Sequence, residues 1–347
     1  KNSCRCIIMY DIPGYGLFNA FTASVYDTRS RKQIWTQNRK INQNSDIPAC
    51  EMNEVYYRLW SSSKMATSWA AARAYEQGMF GEPSNKKEGM KKKVSEYVNN
   101  FHKMGDYAKD VTLENLLTHS NGLPRIGWMG AENNYHQELG TYIETVACAE
   151  YKLLPNFVPG VNTHYGYGIS MMGRVLEVVY RKPLAHILDE LIFDPLEMNQ
   201  TGFYIPESER DKIMTNPSCF NYPPDAKLCM GGEMLWGTIG DYAKLAVGIA
   251  NGTTEYNEIL WKPETIKLWT SPVHHICDEL GTMGLGCQHL SHSSGRHGMT
   301  GMNGTSCKID PRNHKVYMFF TQTPEHSHAG EEVTKLTNEF KDYNKNG

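Results

Sequence analysis

Arg58-Leu-Trp-Ser-Ser-Ser-Lys-Met-Ala-Thr-Ser-Trp-Ala-Ala-Ala-Arg-Ala-Tyr-Glu-Gln-Gly78 is the stretch from which the rest of the chain can be read. It begins as a strand end and runs into an Ala-rich helix, with Gly78 as the stop signal. Ser61 and Lys64 stand three residues apart near the helix start. Residues at i and i+3 share a helix face, so a hydroxyl and an amine can meet there. Backbone N–H groups and the helix dipole favour negative charge at a helix N-terminus, which suits an alkoxide or a tetrahedral oxyanion. A lysine acts as a base only in a partly buried or cationic setting, and the flanks Met65, Ala66, Trp69 and Ala70 are apolar. Ser-x-x-Lys is nevertheless a common spacing, and the simpler reading is a capping serine beside an unrelated lysine.

The chain has 347 residues, enough for one large or two interlocked domains around a sizeable core. Hydrophobic content of 40% and charged content of 21% are those of an ordinary globular protein. A net charge of −3 argues against a nucleic-acid surface. No apolar run approaches the ~20 residues of a membrane span. The sequence starts at Lys1 without a Met or a signal-like stretch, which reads as a mature or trimmed form. Nine cysteines include no Cys-x-x-Cys pair, so a zinc ribbon is not expected. Asn199-Gln-Thr, Asn251-Gly-Thr and Asn303-Gly-Thr match glycosylation acceptors, giving a mild preference for a secreted protein with some disulfides over a cytosolic one. His274-His275, His289-x-x-His292 and His326-x-His328 lack carboxylate or cysteine companions at ligand spacing and read as exposed loop histidines, not a metal site. No Gly-rich phosphate loop follows a strand, so no cofactor is expected.

Residues 19–27 and 32–37 read as strands joined by the turn Thr28-Arg-Ser-Arg31. The lysines among residues 86–93 read as a solvated face. Val111 to Pro124 reads as a short helix capped by Thr112 and ended by Asn121-Gly. Residues 128–150 read as mixed, helical toward Val146, and Pro155 to Gly160 as a loop. Helical spacing of Met171, Met172, Val175, Leu176 and Val179 marks another helix, followed by one from Leu184 to Ile192. Residues 204–229 read as an irregular connection. Asp241 is a candidate cap for a helix ending at Asn251-Gly. Gly304–Ile309 and Lys315–Thr321 read as a hairpin, and Glu331–Tyr343 as a closing amphipathic helix. Strands at both chain ends with helices between them predict an α/β (α+β) protein. Its antiparallel sheet lobe is expected from residues 1–80 and 231–347, with a helical lobe from 81–230, as one interlocked unit.

Tyr57-Arg-Leu-Trp-Ser-Ser-Ser-Lys64 resembles the Ser-x-x-Lys box of the serine β-lactamases and penicillin-recognising enzymes. The wider chain is similar to the class C branch, which also holds esterases, D-peptidases and transacylases. Thr112-Leu-Glu-Asn-Leu-Leu-Thr-His-Ser-Asn-Gly-Leu-Pro124, Tyr165-Gly-Tyr-Gly-Ile-Ser-Met-Met-Gly-Arg-Val-Leu-Glu177 and Phe193-Asp-Pro-Leu-Glu-Met-Asn-Gln-Thr-Gly-Phe203 match its segments in order. Gly231-Gly232, Gly240-Asp-Tyr-Ala-Lys, Gly284-Leu-Gly286 and His297-Gly-Met continue the series, so the likeness spans roughly residues 19–322.

The resemblance implies that Ser61 attacks a carbonyl to form an acyl-enzyme. Lys64 would take or relay the proton, with Tyr165 as base for acylation and acid toward the leaving group; Tyr167 is the alternative for that place. His297 would bond the tyrosine or meet a substrate carboxylate. The oxyanion hole would combine the Ser61 N–H with one from the strand of Gly298, near Met299 or Thr300. Trp128 and Trp236 would border an acyl pocket, while His119 is expected to be structural. Met299 and Met302 read as cleft or core in equal measure. Two departures bear on substrate. Tyr165-Gly-Tyr167 lacks the asparagine of the common Tyr-x-Asn box, and His297 removes a fixed positive charge. The reading is therefore hydrolysis of a small ester or amide, esterase before β-lactamase. The alternatives are acyl transfer to another acceptor, or a silent binding protein on the same scaffold.

Overall fold

A computed structural model describes residues 20–40, 50–81, 86–124, 133–214, 223–275, 282–291, 295–322 and 338. Trp128, most of the expected closing helix, His292, His326 and His328 lie outside the described residues, as do the side chains of His274, His275 and His289.

The first and last strands of the described residues meet in one antiparallel sheet. The strands β1 (Ala20–Asp27), β2 (Gln33–Lys40), β6 (His274–His275), β7 (Thr282–Met283), β8 (Gln288–Ser291), β9 (Arg296–Gly301), β10 (Thr305–Asp310) and β11 (Lys315–Phe320) run in the order β2-β1-β11-β10-β9-β8-β7-β6. The first strand thus lies beside the last, with Ala23 opposite Phe319 and Val25 opposite Tyr317. The expected hairpin is β10–β11, turned at residues 311–314. A small sheet joins β3 (Tyr57–Arg58), β4 (Thr201–Gly202) and β5 (Trp236–Gly237), tying the middle of the chain to its flanks.

Between the sheet and the helices of the middle segment runs the Ser63–Glu76 helix, buried along nearly its whole length. Ala66, Ala70, Ala71, Ala72 and Ala74 let neighbours approach from several sides, and Trp69 packs edge-on to Trp261 at 5.0 Å. Fully burying a large apolar side chain such as Met65 contributes roughly 1.5–3 kcal/mol. The helix is therefore held by tertiary burial rather than by an amphipathic face. Gly78 takes φ +75° just past its end, the left-handed conformation that stops a helix.

The Gly168–Tyr180 helix and the pair of turns 184–193 follow the expected spacing. Thr112 caps Leu113–Leu117 by accepting from Asn115 N while its own N–H donates to the Asn115 side chain, but this helix ends before the predicted Asn121-Gly. The Ile239–Asn251 helix is capped by Thr238, not Asp241. Asp241 sits one turn in, where its carboxylate accepts from Gln200 N–H and Thr201 Oγ1 and pairs with Lys244. None of the described helices is long and apolar enough to cross a membrane. Asn303 is buried at 1% exposure, Asn251 donates its amide to the Thr28 carbonyl, and Asn199 is exposed.

Candidate active site

The chain leaves β3, makes a short 3-10 turn over Trp60–Ser62 and enters the Ser63–Glu76 helix. Ser61 therefore sits just ahead of the helix rather than within it. Trp60 takes φ +50°, a conformation that a bulky residue holds only when its surroundings impose it. Here Arg58 stacks over the Trp60 ring at 4.0 Å, and Trp60 Nε1 donates to Gln322 at 3.3 Å. Tyr242 donates its hydroxyl to Ser62 O at 2.8 Å, and Thr305 Oγ1 donates to Leu59 O at 2.8 Å. The nucleophile turn is thus fastened to both a helix and a sheet strand.

Lys64 Nζ donates to Ser61 Oγ at 3.1 Å and to Gly232 O at 2.8 Å. Its stem is buried, at 3% exposure. Tyr165 donates its hydroxyl to the same Ser61 Oγ at 2.6 Å, and the lysine nitrogen lies 4.9 Å from the tyrosine ring centre. The carbonyl that orients Lys64 depends on a Gly-Gly pair. A Cβ at Gly231 would stand 2.3 Å from Thr67 Oγ1, and one at Gly232 would stand 2.8 Å from Ser170 Oγ.

Tyr165 is carried by a loop clasped by His119. His119 O accepts from His164 N–H at 2.8 Å, His119 Nδ1 accepts from Gly166 N–H at 3.3 Å, and the His119 ring lies 4.5 Å from that of Tyr165. Burial, with Lys64 and His164 nearby, pushes the His119 imidazolium down to about 3, so the ring is neutral and its Nδ1 is an acceptor. Asn121 donates to Asn115 O and accepts from Leu123 N–H, holding the turn below. The segment Thr112–Pro124 is the platform on which the tyrosine rests.

A cavity of about 120 Å³ opens at this cluster, lined by Ser61, Lys64, Tyr165, Gly166, Tyr167, Ser170, Glu233 and Met302. The structure thus brings together Ser61, Lys64, Tyr165 and Tyr167, with Tyr165 rather than Tyr167 on the serine oxygen. His297 is not in the lining. It is buried on β9 with its Nδ1 at 3.1 Å from Gly295 O, and it pairs with Ile309 across the ladder. Gly298, Met299 and Thr300 do not line the cavity either. Gly298 lies against the Cys307 backbone, Met299 is in the core, and Thr300 pairs with Ser306. The strand instead reaches the cavity just past its end, at Met302. A Cβ on Gly301 would stand 2.4 Å from Leu59 O, so β9 abuts the nucleophile turn there. Trp236 is likewise elsewhere, packed with Tyr56 and Ile205 beneath Arg58.

Sequence reasoning missed Ser170 and Glu233. Glu233 is fully buried, and burial raises its carboxyl to about 7 against the opposing pull of Lys64 and Arg58. The available signal was a lone acid in the apolar run Leu228-Cys-Met-Gly-Gly-Glu-Met-Leu-Trp236. Among the described residues, no cluster of three His, Cys, Asp or Glu side chains is placed to hold a metal.

The chain can now be set beside known proteins. It is 29% identical over 201 residues to lovastatin esterase of Penicillium rubens, covering 53% of this chain and 49% of that protein. It is 25% identical over 316 residues to a putative D-alanyl-D-alanine carboxypeptidase of Escherichia coli, covering 77% and 69%. The chain spans about half the length of several curated relatives it matches. Among solved structures, EstCE1, a hydrolase with promiscuous acyltransferase activity, superposes with a TM-score of 0.70 at 20% identity, covering 91% of this chain and 92% of that one. An octameric penicillin-binding protein homologue from Pyrococcus abyssi gives 0.69 at 17% identity over 93% and 74%. These superpositions speak to the fold. The family model described as Beta-lactamase matches residues 19–338, nearly the whole chain, and the protein belongs to that family.

Proposed function

We propose that the protein is a serine hydrolase that forms an acyl-enzyme on Ser61 and acts on small esters. The observation that carries this is the convergence of two proton-handling groups on one hydroxyl, Lys64 at 3.1 Å and Tyr165 at 2.6 Å. In the reaction, Tyr165 acts as the phenolate, its own proton having left to solvent and the Lys64 ammonium balancing the charge; Ser61 Oγ passes its proton to that phenolate oxygen as it bonds to the substrate carbonyl carbon. The carbonyl π pair moves to oxygen, and the donor pair assigned to it in this proposal is the Ser61 N–H with an N–H from the chain near Met302. Collapse breaks the bond to the alkoxide, which takes the proton from Tyr165. Water then attacks the acyl-enzyme by the same steps in reverse and releases the acid.

The preference for esters rests on the walls of the cleft. Tyr167 stands where the common box has an asparagine for a substrate amide. No lysine or histidine of β9 faces the cavity to meet a substrate carboxylate. Lovastatin esterase and, at 30% identity over 112 residues, esterase EstB of Burkholderia gladioli support the same reading. The test is labelling with a fluorophosphonate probe together with turnover of p-nitrophenyl esters. Wild type is expected to be labelled on Ser61 and to give a burst of nitrophenol, and Ser61→Ala to lose at least about 10³-fold in rate. Folded wild-type protein that is neither labelled nor active would refute the proposal.

A further inference from the structure

The acylation chemistry above uses Ser61, Lys64 and Tyr165 and leaves one ionisable group of the cavity without a task. Glu233 follows directly on Gly232, whose carbonyl holds Lys64. It lines the same cavity as Ser61 and Ser170, at 4% exposure. Its Oε1 is buried and has no hydrogen-bond partner among the described residues. Neither of the nearby cations, Lys64 and Arg58, is within 4 Å of it as an ion pair among the described residues. Lys64 instead spends its bonds on Ser61 and Gly232. A buried acceptor left unpaired costs about 1–3 kcal/mol, and a group kept at that cost beside a nucleophile is suited to a bound molecule's donor.

We infer that Glu233 is a specificity-determining residue: its carboxyl accepts a hydrogen bond from an N–H or O–H on the substrate and excludes substrates carrying a carboxylate at that place. The rest of the lining strengthens this, since Met302 is apolar and no residue of β9 lines the cavity. A carboxylate entering here would meet a like charge in a confined, weakly screened space. An amide, hydroxyl or ammonium would complete the bond that Oε1 lacks. The charged groups acting on the carboxyl are Lys64 from the serine helix and Arg58 from β3, and Tyr165 lines the same cavity. Burial raises the carboxyl to about 7, so exclusion of anions strengthens as pH rises through neutrality, while the neutral acid below it can itself donate.

This inference rests on the acyl-enzyme reading, and the test separates the two. Two p-nitrophenyl esters of equal length are compared, one ending in a carboxamide and one in a carboxylate, with spontaneous hydrolysis subtracted. Wild type at about pH 8 is expected to prefer the carboxamide by at least about tenfold in kcat/KM. Glu233→Gln is expected to bring that ratio to within about threefold of unity. Both substrates meet one enzyme, so a general loss of activity cancels from the ratio. In wild type the ratio should fall several-fold between about pH 8 and pH 5.5, a readout that survives if the variant does not fold. A ratio near unity in wild type, a ratio unmoved in folded Glu233→Gln, or a ratio flat with pH would overturn the inference. Failure of Ser61 to label would overturn the acyl-enzyme reading, and this inference with it.

Discussion

The two walls of the cleft are built from different materials. One wall carries Lys64, bonded to Ser61 and Gly232, Tyr165, bonded to Ser61 in a loop held by His119, Ser170, which accepts from Gly232 N–H, and the buried Glu233. The other is the end of β9, where Met302 offers a half-exposed thioether and the backbone passes within touching distance of the nucleophile turn. Proton transfer needs side chains held to a fraction of an ångström, and on the first wall Lys64 and Tyr165 are held by hydrogen bonds to Ser61 and Gly232. Binding a varied acyl group needs a surface that yields, and methionine, unbranched and polarisable, supplies one. Chemistry and tolerance are thus assigned to different residues around one small space.

The comparison breaks most sharply at Tyr165. Tyr165→Phe keeps the ring on His119 but removes the proton carrier, and should lower kcat by about 10²–10⁴-fold with KM little changed. A large KM change with kcat intact, measured in steady state, would place the tyrosine on the binding wall instead.

The next effect concerns the platform. His119 is neutral in the fold with its value depressed to about 3, whereas the unfolded chain protonates near 6.5. Below about 6.5 the unfolded state takes up a proton that the folded state does not, so this contribution is full above that value. It is lost as pH falls toward 3, on the order of 3–5 kcal/mol in all. Urea midpoints measured from neutrality downward should fall with this slope, and His119→Asn should flatten it. Glu233 acts in the opposite sense, since a carboxyl raised to about 7 costs stability as pH climbs from 4.5 through 7. The two together predict a maximum on the mildly acidic side of neutral.

Gly232→Ala puts a methyl 2.8 Å from Ser170 Oγ and 3.6 Å from Lys64 Nζ. Overpacking of that kind should cost about 1–3 kcal/mol, visible as a lower Tm. It should also displace Lys64 and slow Ser61 labelling. A variant with unchanged labelling would show that the carbonyl does not set the lysine. The smallest effect belongs to the yielding wall. Met302→Ala should raise KM for apolar esters by less than about tenfold and leave kcat nearly unchanged. A fall in kcat comparable to that of Tyr165→Phe would erase the distinction between the walls.

Sequence reading and structure agree where the signal is local and part company where it is not. Ser61 and Lys64 are three residues apart, and a helical turn brings them together whatever surrounds it. Thr112 caps its helix because the acceptor and the orphan N–H are neighbours in the chain. The hairpin of β10 and β11 was legible from strand patterns flanking a turn. The helix at Ile239 was also legible, although the cap fell on Thr238, since a carboxylate one turn later was wanted by Gln200 from another part of the chain.

The amino-acid sequence alone determined that a hydroxyl, an amine and a tyrosine segment stand in the order of a known family, and that both chain ends supply strands. Only the tertiary structure decided which tyrosine reaches the serine, that β9 touches the cleft at Met302 and not at His297, and that Glu233 completes the polar wall. The physical reason is that strand register and loop path answer to packing across the whole molecule. A residue's neighbours in the cavity come from segments as much as 241 positions apart, as Ser61 and Met302 do.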